Sequence, residues 1–365
     1  MSFGGFPAAE PLILSGGAWA RGHGQADDRL ADREQVRKAT IGRVKTARAE
    51  GLIDASAADY LRDQALFHST NDPLGMAELQ GIADGFDLPV DDLFAHLHLG
   101  TLRDLKLGAK LDGDGCSAWA VSDGPDGPIV VKNRDYSGLH LGIQRLTRHT
   151  GPDIRTGELI CLGSLGSPAA YSSGINAKGL ALADTQVSVA NHGVGWLRYF
   201  LMTRILANCA TVTEAVKFIK SVPHAGGGTL VMADASGEVA AVELGSRKVN
   251  VERIALVWRT NHFVSDDLAS ETLLPESDKI AGNSADRFAY LGRRLPDLTP
   301  GIPQAVELMK SHRDAALGSA PLCQHDDTEA SQTLSTAIYS CSLRSMAFSQ
   351  GNPCTGQWQT CGMPS

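Results

Sequence analysis

The chain is 365 residues long, 43% hydrophobic and 20% charged, with a formal net charge of -8. That composition is ordinary for a folded globular protein and excludes disorder as the default. The acidic balance and the lack of any Lys/Arg run leave no surface for neutralising phosphates, so nucleic acid is not expected as a partner.

From Met1 to Gly22 no positively charged stretch precedes the apolar residues, and glycine and polar positions arrive before an export signal could form. The longest mixed apolar stretch, Leu197 to Ala210, is broken by Arg198, Arg204 and Asn208 and falls short of the roughly 20 apolar residues of a membrane helix. A soluble, cytoplasmic protein without a membrane partner is expected. The cysteines at 116, 161, 209, 323, 341, 354 and 361 form no CxxC pair and no Cys/His cluster with zinc spacing. Mainly free thiols are therefore expected, with no metal and no cofactor.

From Asp27 to about Leu107 the pattern is helical: Val36, Ile41, Val44 and Ala47 share one face, and Asn71-Asp72-Pro73 marks a turn. The ionisable residues here alternate as on solvated helix faces. At Leu111-Asp112-Gly113-Asp114-Gly115 the texture changes abruptly, which marks a boundary between a segment 1–115 and a segment 116–365. Residues 116–123 and 129–137 flank the turn-rich Gly124–Pro128 and read as a β-hairpin, with Cys116 and Asp135 at the same end.

A turn at Asn176–Gly179 follows, then one helix through residues 197–222, which contain no internal Gly before Pro223. A second hairpin turns at Asp234–Gly237, and a strand runs to Asn261. Helices are expected at Ser284–Leu295 and Ile302–His312, and Thr333–Phe348 alternates like closing strands. Strands, helix, strands and helices in one block predict layered α+β with largely antiparallel sheets. Two glycine-rich stretches, Gly163–Ser167 and Gly226–Gly228, lack the Lys-Ser/Thr of a phosphate loop and read as loops.

One cysteine in a soluble protein is ordinarily a small buried hydrophobe. What singles out Cys116 is the series Asp114-Gly115-Cys116-Ser117, Lys132-Asn133-Arg134-Asp135, Thr260-Asn261-His262-Phe263 and Asn283-Ser284-Ala285-Asp286-Arg287-Phe288. In this order they resemble the acyl-coenzyme A:isopenicillin N acyltransferase family of N-terminal nucleophile hydrolases, and more distantly choloylglycine hydrolases and penicillin V acylase. Gly16-Gly17, Arg21–Gln25 and Gly351-Asn352-Pro353-Cys354 also resemble stretches of that family. The resemblance implies a four-layer αββα sandwich (α+β), self-cleavage between Gly115 and Cys116, and a helical pro-segment 1–115. That segment is expected to be retained as a small subunit beside a catalytic domain 116–365, giving a heterodimer, with its further oligomerisation left open.

The chemistry has its own rationale. A free α-amine, whose ordinary pKa is about 7.7–8.0, is a base already within reach of the thiol on the same residue. By the resemblance, Asp135 orients the Cys116 amine, although alone it would read as a turn-proximal carboxylate. Asn261 at a strand end suits an oxyanion donor, or simply a residue capping the next turn. Arg287 would steady Asp135 and favour the thiolate, or else lie on a solvated helix face, with Asn283 or Ser284 capping that helix. His262 should face away from Asn261. Gln186 stands where the bile-salt branch has an oxyanion Asn, Lys132 where that branch has Arg, and Arg134 where relatives have an apolar or aromatic residue. Trp119, Tyr136, Tyr171, His192, Trp196 and Phe263 are candidates for the acyl or amine pocket, although aromatic residues are more often core.

The expected function is hydrolysis of a linear, non-peptide amide of a small acylated amine through a Cys116 acyl-enzyme. Acyl transfer to an amine passes through the same intermediate. A noncatalytic, self-processed scaffold and a thiol protease pairing Cys116 with His262 or His192 are the rival readings.

Overall fold

The computed structural model describes residues 5–106, 115–273, 283–298, 300–312, 321–325 and 331–363. Of the boundary stretch expected at Leu111–Gly115, residues 111–114 lie outside them, while Gly115 and Cys116 are the first two residues of a strand. Two mixed or antiparallel sheets form the centre. The larger runs β1 (Leu12–Ser15), β4 (Gln144–Thr150), β5 (Glu158–Ser164), β6 (Ser173–Asn176), β7 (Ala181–Gln186), β8 (Gly228–Ala233), β9 (Val239–Leu244) and β10 (Val249–Glu252), in that spatial order. The smaller has the order β11 (Leu256–Arg259), β2 (Gly115–Val121), β3 (Ile129–Ser137), β12 (Ser331–Ser340), β13 (Ser345–Gln350) and β14 (Trp358–Gly362).

Period-two alternation decides what each sheet face touches. Ala118, Ala120 and Val130 point toward the other sheet and meet Ile160, Leu162, Ala183 and Val231 in a shared core. Their neighbours Trp119, Ile129 and Val131 point the other way, into a core with helices Ser284–Arg294 and Ile302–Met309. The far face of the large sheet, through Leu159, Leu182 and Leu230, packs on Phe200, Leu201 and Ile219.

Those last residues lie on two helices, Arg198–Asn208 and Val212–Lys220, where the sequence predicts one. The break contains neither Pro nor Gly. Cys209 is extended, and Thr211 takes the position before the second helix, accepting the Glu214 N–H with its side chain. A threonine that can bond the backbone this way favours a helix start over a helix interior.

The described residues 5–106 carry helices from Ala18–Gly24 to Leu99–Leu105, preceded by β1, a short run that pairs in parallel with β4 at the edge of the large sheet. Helix Ala18–Gly24 crosses helix Pro73–Phe86 very closely. A Cβ at Gly22 would lie 2.1 Å from the Glu78 carbonyl oxygen, and one at Gly81 would lie 2.0 Å from that of Trp19. Arg21 makes two 2.7 Å bonds to the Asp153 carboxylate, and Gln25 donates to the Ser167 carbonyl at 2.9 Å. Bidentate, buried contacts of this kind fix one segment on the other. Among the described residues, no helix is long and apolar enough to cross a membrane.

Candidate active site

The hairpin brings its two ends together as the alternation predicts: Gly115 lies opposite Asp135 and Cys116 opposite Arg134. β11 runs beside β2 with Arg259 opposite Ala118, so the chain leaving β11 carries Asn261 to the start of β2. There Asn261 Oδ1 accepts the Cys116 backbone N–H at 2.9 Å, while its Nδ2 donates to the Gln186 carbonyl at 2.8 Å.

Arg287, on the first turns of helix Ser284–Arg294, is fully buried and ties this corner together. It donates to the Cys116 carbonyl at 2.6 Å, the Ser117 hydroxyl at 3.0 Å and Asn261 Oδ1 at 2.7 Å. Its Nε reaches Asn283 Oδ1 at 2.6 Å. Asn283 makes no side-chain cap to the helix, contrary to the capping reading. Ser284 does not cap it either: its hydroxyl accepts the Asn261 N–H at 2.6 Å and meets His262 Nδ1 at 2.8 Å. His262 is thus turned toward Ser284, and burial, then the Arg287 charge, holds it below its ordinary pKa.

Asp135 is fully buried, and its carboxylate accepts from Thr333 Oγ1 and from Gln324 Nε2 at 3.2 Å. Burial pushes this carboxyl up, and Arg287 with Thr333 works against that. The Thr333 hydroxyl reaches it where β12 slips register between Thr333 and Ser335, a bulge that re-aims side chains beside the site. The partner of the Cys116 nitrogen is therefore Asn261, with Asp135 held by Thr333 and Gln324.

The thiol faces the opposite side, toward the other sheet. Burial pushes the Cys116 thiol above its ordinary value, Lys132 draws it down, and Asp184 and Asp135 raise it again. Lys132 bonds the Asp184 carbonyl and, at 3.1 Å, its carboxylate; Arg198 Nε reaches the same carboxylate at 2.6 Å. Burial alone would raise the Asp184 carboxyl, but Lys132 and Arg198 hold it below the usual range. Replacing Lys132 with Met strands Asp184 beside one cation instead of two. The expected result is a loss of about 3 kcal/mol of unfolding free energy, read by urea denaturation.

Asp184 and Arg198 do not stand out as site residues in the sequence, although an Asp in the small and apolar run Ala181-Leu182-Ala183 is a visible anomaly. Nothing in the sequence marks Gln324 or Thr333. Arg134, also on the inner face, donates to Ser164 Oγ at 2.8 Å and lies 4.7 Å from the Tyr171 ring centroid.

Of the aromatic candidates, Tyr136 and Tyr171 line one recess with Gln186, beneath Arg43, His96 and Gly100 of the N-terminal segment. Gln186 Oε1 accepts from Arg198 at 2.8 Å. The others lie elsewhere. Trp119 is on the opposite face of β2 from Cys116, with its Nε1 against Met309. His192 pairs with Asp104 at 3.0 Å, Trp196 packs edge-on to His68, and Phe263 sits with Val187, Val189 and Leu268. Core packing, not pocket lining, occupies Trp119, Trp196 and Phe263.

The family described as acyl-coenzyme A:6-aminopenicillanic acid acyl-transferase matches residues 122–355. The match begins after Cys116 and includes Asp135, Asn261 and Arg287. A search of curated proteins gave no match. Among solved structures, a conjugated bile acid hydrolase from Clostridium perfringens aligns at 13% identity, over 68% of this chain and 97% of its own, with TM-score 0.39. Penicillin V acylase from Agrobacterium tumefaciens aligns at 16% identity, over 68% and 86%, with TM-score 0.37.

Proposed function

Because the chain belongs to the acyl-coenzyme A:6-aminopenicillanic acid acyl-transferase family, we propose that it is a self-processing N-terminal-cysteine amidohydrolase acting on a small acylated amine. The observation that carries this reading is the grip on the residue itself: Asn261 holds the Cys116 nitrogen at 2.9 Å and Arg287 holds its carbonyl at 2.6 Å. That nitrogen is the leaving group of the Gly115–Cys116 bond. Attack by the Cys116 sulfur on the Gly115 carbonyl gives a thioester; the C–N bond breaks, the nitrogen takes up the thiol's proton, and water releases the segment 1–115. The same nitrogen, now an amine, then serves as base when Cys116 attacks a substrate amide, and passes the proton to the departing amine.

The helices that cover the outer faces of both sheets favour reading the region 116–365 as a four-layer αββα catalytic domain. The buried contacts of Arg21 and Gln25 favour a helical segment 1–115 that stays bound after the cut, as the small subunit of a heterodimer. The family's description favours a second reading, transfer of the acyl group to an amine. Both predict an acyl-enzyme. On rapid acid denaturation during turnover of N-acyl anilides, the large fragment should gain the acyl mass at Cys116. Added primary amines should raise its breakdown rate if transfer competes with hydrolysis. Neither adduct nor product across short, long and aryl acyl groups would leave the scaffold reading.

A further inference from the structure

Four residues from three separate stretches of the chain, His312, Cys323 with His325, and Cys354, converge in space, with one ligand atom of each lying within 4.8 Å of all the others. The expectation of no Cys/His cluster, drawn from linear spacing, does not hold in space. His312 Nε2 and His325 Nε2 are 3.0 Å apart, Cys354 Sγ is 3.3 Å from His325 Nε2, and the two sulfurs are 3.5 Å apart. A tetrahedral ion with bonds of about 2.3 Å to sulfur and 2.0–2.1 Å to nitrogen needs edges of roughly 3.3–3.8 Å between ligands. The observed separations approach that shape without any ligand having to cross the fold. The sulfur pair is far beyond the roughly 2.05 Å of a disulfide.

We propose that His312, Cys323, His325 and Cys354 form a structural Cys2His2 site for Zn2+. Two soft thiolates and two imidazoles are a donor set that suits zinc, and four protein ligands leave no open position for catalysis. Binding displaces a proton from each thiol and leaves the metal without change of oxidation state. Both histidines are exposed while Cys323 is buried, so the ion has a path from solvent to an anchored sulfur.

The site would act on the fold through what its ligands are attached to. The Leu322 and Cys323 N–H groups donate to the Ser311 carbonyl, next to His312, at 3.1 and 3.0 Å. Gln324, between two ligands, donates to Asp135 and accepts from Asn283 at 2.8 Å. The loop bearing Cys354 is docked by Asn352, which donates to the Thr333 carbonyl at 2.7 Å. Zinc would therefore clamp three segments around the bulge in β12 that holds Asp135.

The test uses the untagged full chain, reduced, stripped with chelator and titrated with Co2+. One equivalent should give tetrahedral d–d bands with thiolate-to-cobalt charge transfer, displaced by one equivalent of Zn2+. His312→Ala, at an exposed position, and Cys354→Ser should each abolish or strongly weaken the charge-transfer signal, with far-ultraviolet circular dichroism unchanged. Cys361→Ser should keep it. Chelator should lower the melting temperature of the wild type and not that of Cys354→Ser. No cobalt–thiolate signal in the reduced wild type, or a signal that survives both His312→Ala and Cys354→Ser, would overturn the proposal. A Cys323–Cys354 disulfide in the wild type with no metal uptake after its reduction would do the same.

Discussion

Purified wild-type protein should separate under denaturing conditions into fragments 1–115 and 116–365, whereas Cys116→Ala should remain one chain with no turnover. The effect is all or none because, in the proposed mechanism, the same sulfur opens the peptide bond and later carries the acyl group. Intact mass resolves the two outcomes, and a cut elsewhere, or a cut in the alanine variant, would sink the mechanism. Under native conditions the fragments should still elute together, since β1 pairs with β4 and Arg21 grips Asp153 with two 2.7 Å bonds across the divide. The rate of the cut should rise with pH. Burial holds the Cys116 thiol protonated above its ordinary value despite Lys132, and the thiolate is the nucleophile. Below that raised value, each pH unit gained multiplies the reactive fraction about tenfold. A rate independent of pH between about 6 and 9 would mean that attack occurs from a thiol whose proton moves in the same step.

Much of this corner is legible in the sequence. The hairpin follows from alternation on both sides of Gly124–Pro128, and its register puts Asp135 level with Gly115. The alternation also excludes Trp119 from the site, because a residue an odd number of steps from Cys116 points to the other face of the strand. The aromatic character of Trp119 suggests a pocket, but strand geometry is the stronger constraint. Other features are hidden for a physical reason. Lys132 and Asp184 meet across two sheets, and no local pattern encodes which inward side chains of separate sheets will face each other. Gln324 and Thr333 reach Asp135 from an irregular stretch and a bulge, where neither period applies. The helix break at Cys209–Thr211 has a sequence signal: a Thr three residues before Glu is a helix-start pattern, masked by the lack of Pro or Gly. The four residues of the candidate zinc site fall in three separate loops, so spacing rules tuned to local CxxC motifs do not find them.

Two separable duties are proposed for Asn261, holding the Cys116 nitrogen and stabilising an oxyanion, and its variants should tell them apart. Its Oδ1 accepts from the Cys116 N–H at 2.9 Å and from Arg287 at 2.7 Å, while its Nδ2 donates to the Gln186 carbonyl at 2.8 Å. Asn261→Ala removes both ends, leaving the Cys116 nitrogen and a buried guanidinium short of an acceptor. Self-cleavage should slow about 10²–10³-fold, the range for losing one oriented polar group at a reacting peptide, or about 3–4 kcal/mol of barrier. Asn261→Asp keeps an acceptor for Cys116 and strengthens the pairing with Arg287, but has no donor to offer. If holding the nitrogen governs the cut, this variant should process within about tenfold of the wild type. Its turnover on acyl anilides should nevertheless fall by about 10²-fold or more, because a carboxylate repels the oxyanion that an amide N–H would stabilise. The two rates, measured on one preparation, decide between the duties. Equal losses in both would mean that cutting and turnover depend on the same end of the side chain, while an Asp variant that turns over normally would remove Asn261 from the oxyanion role.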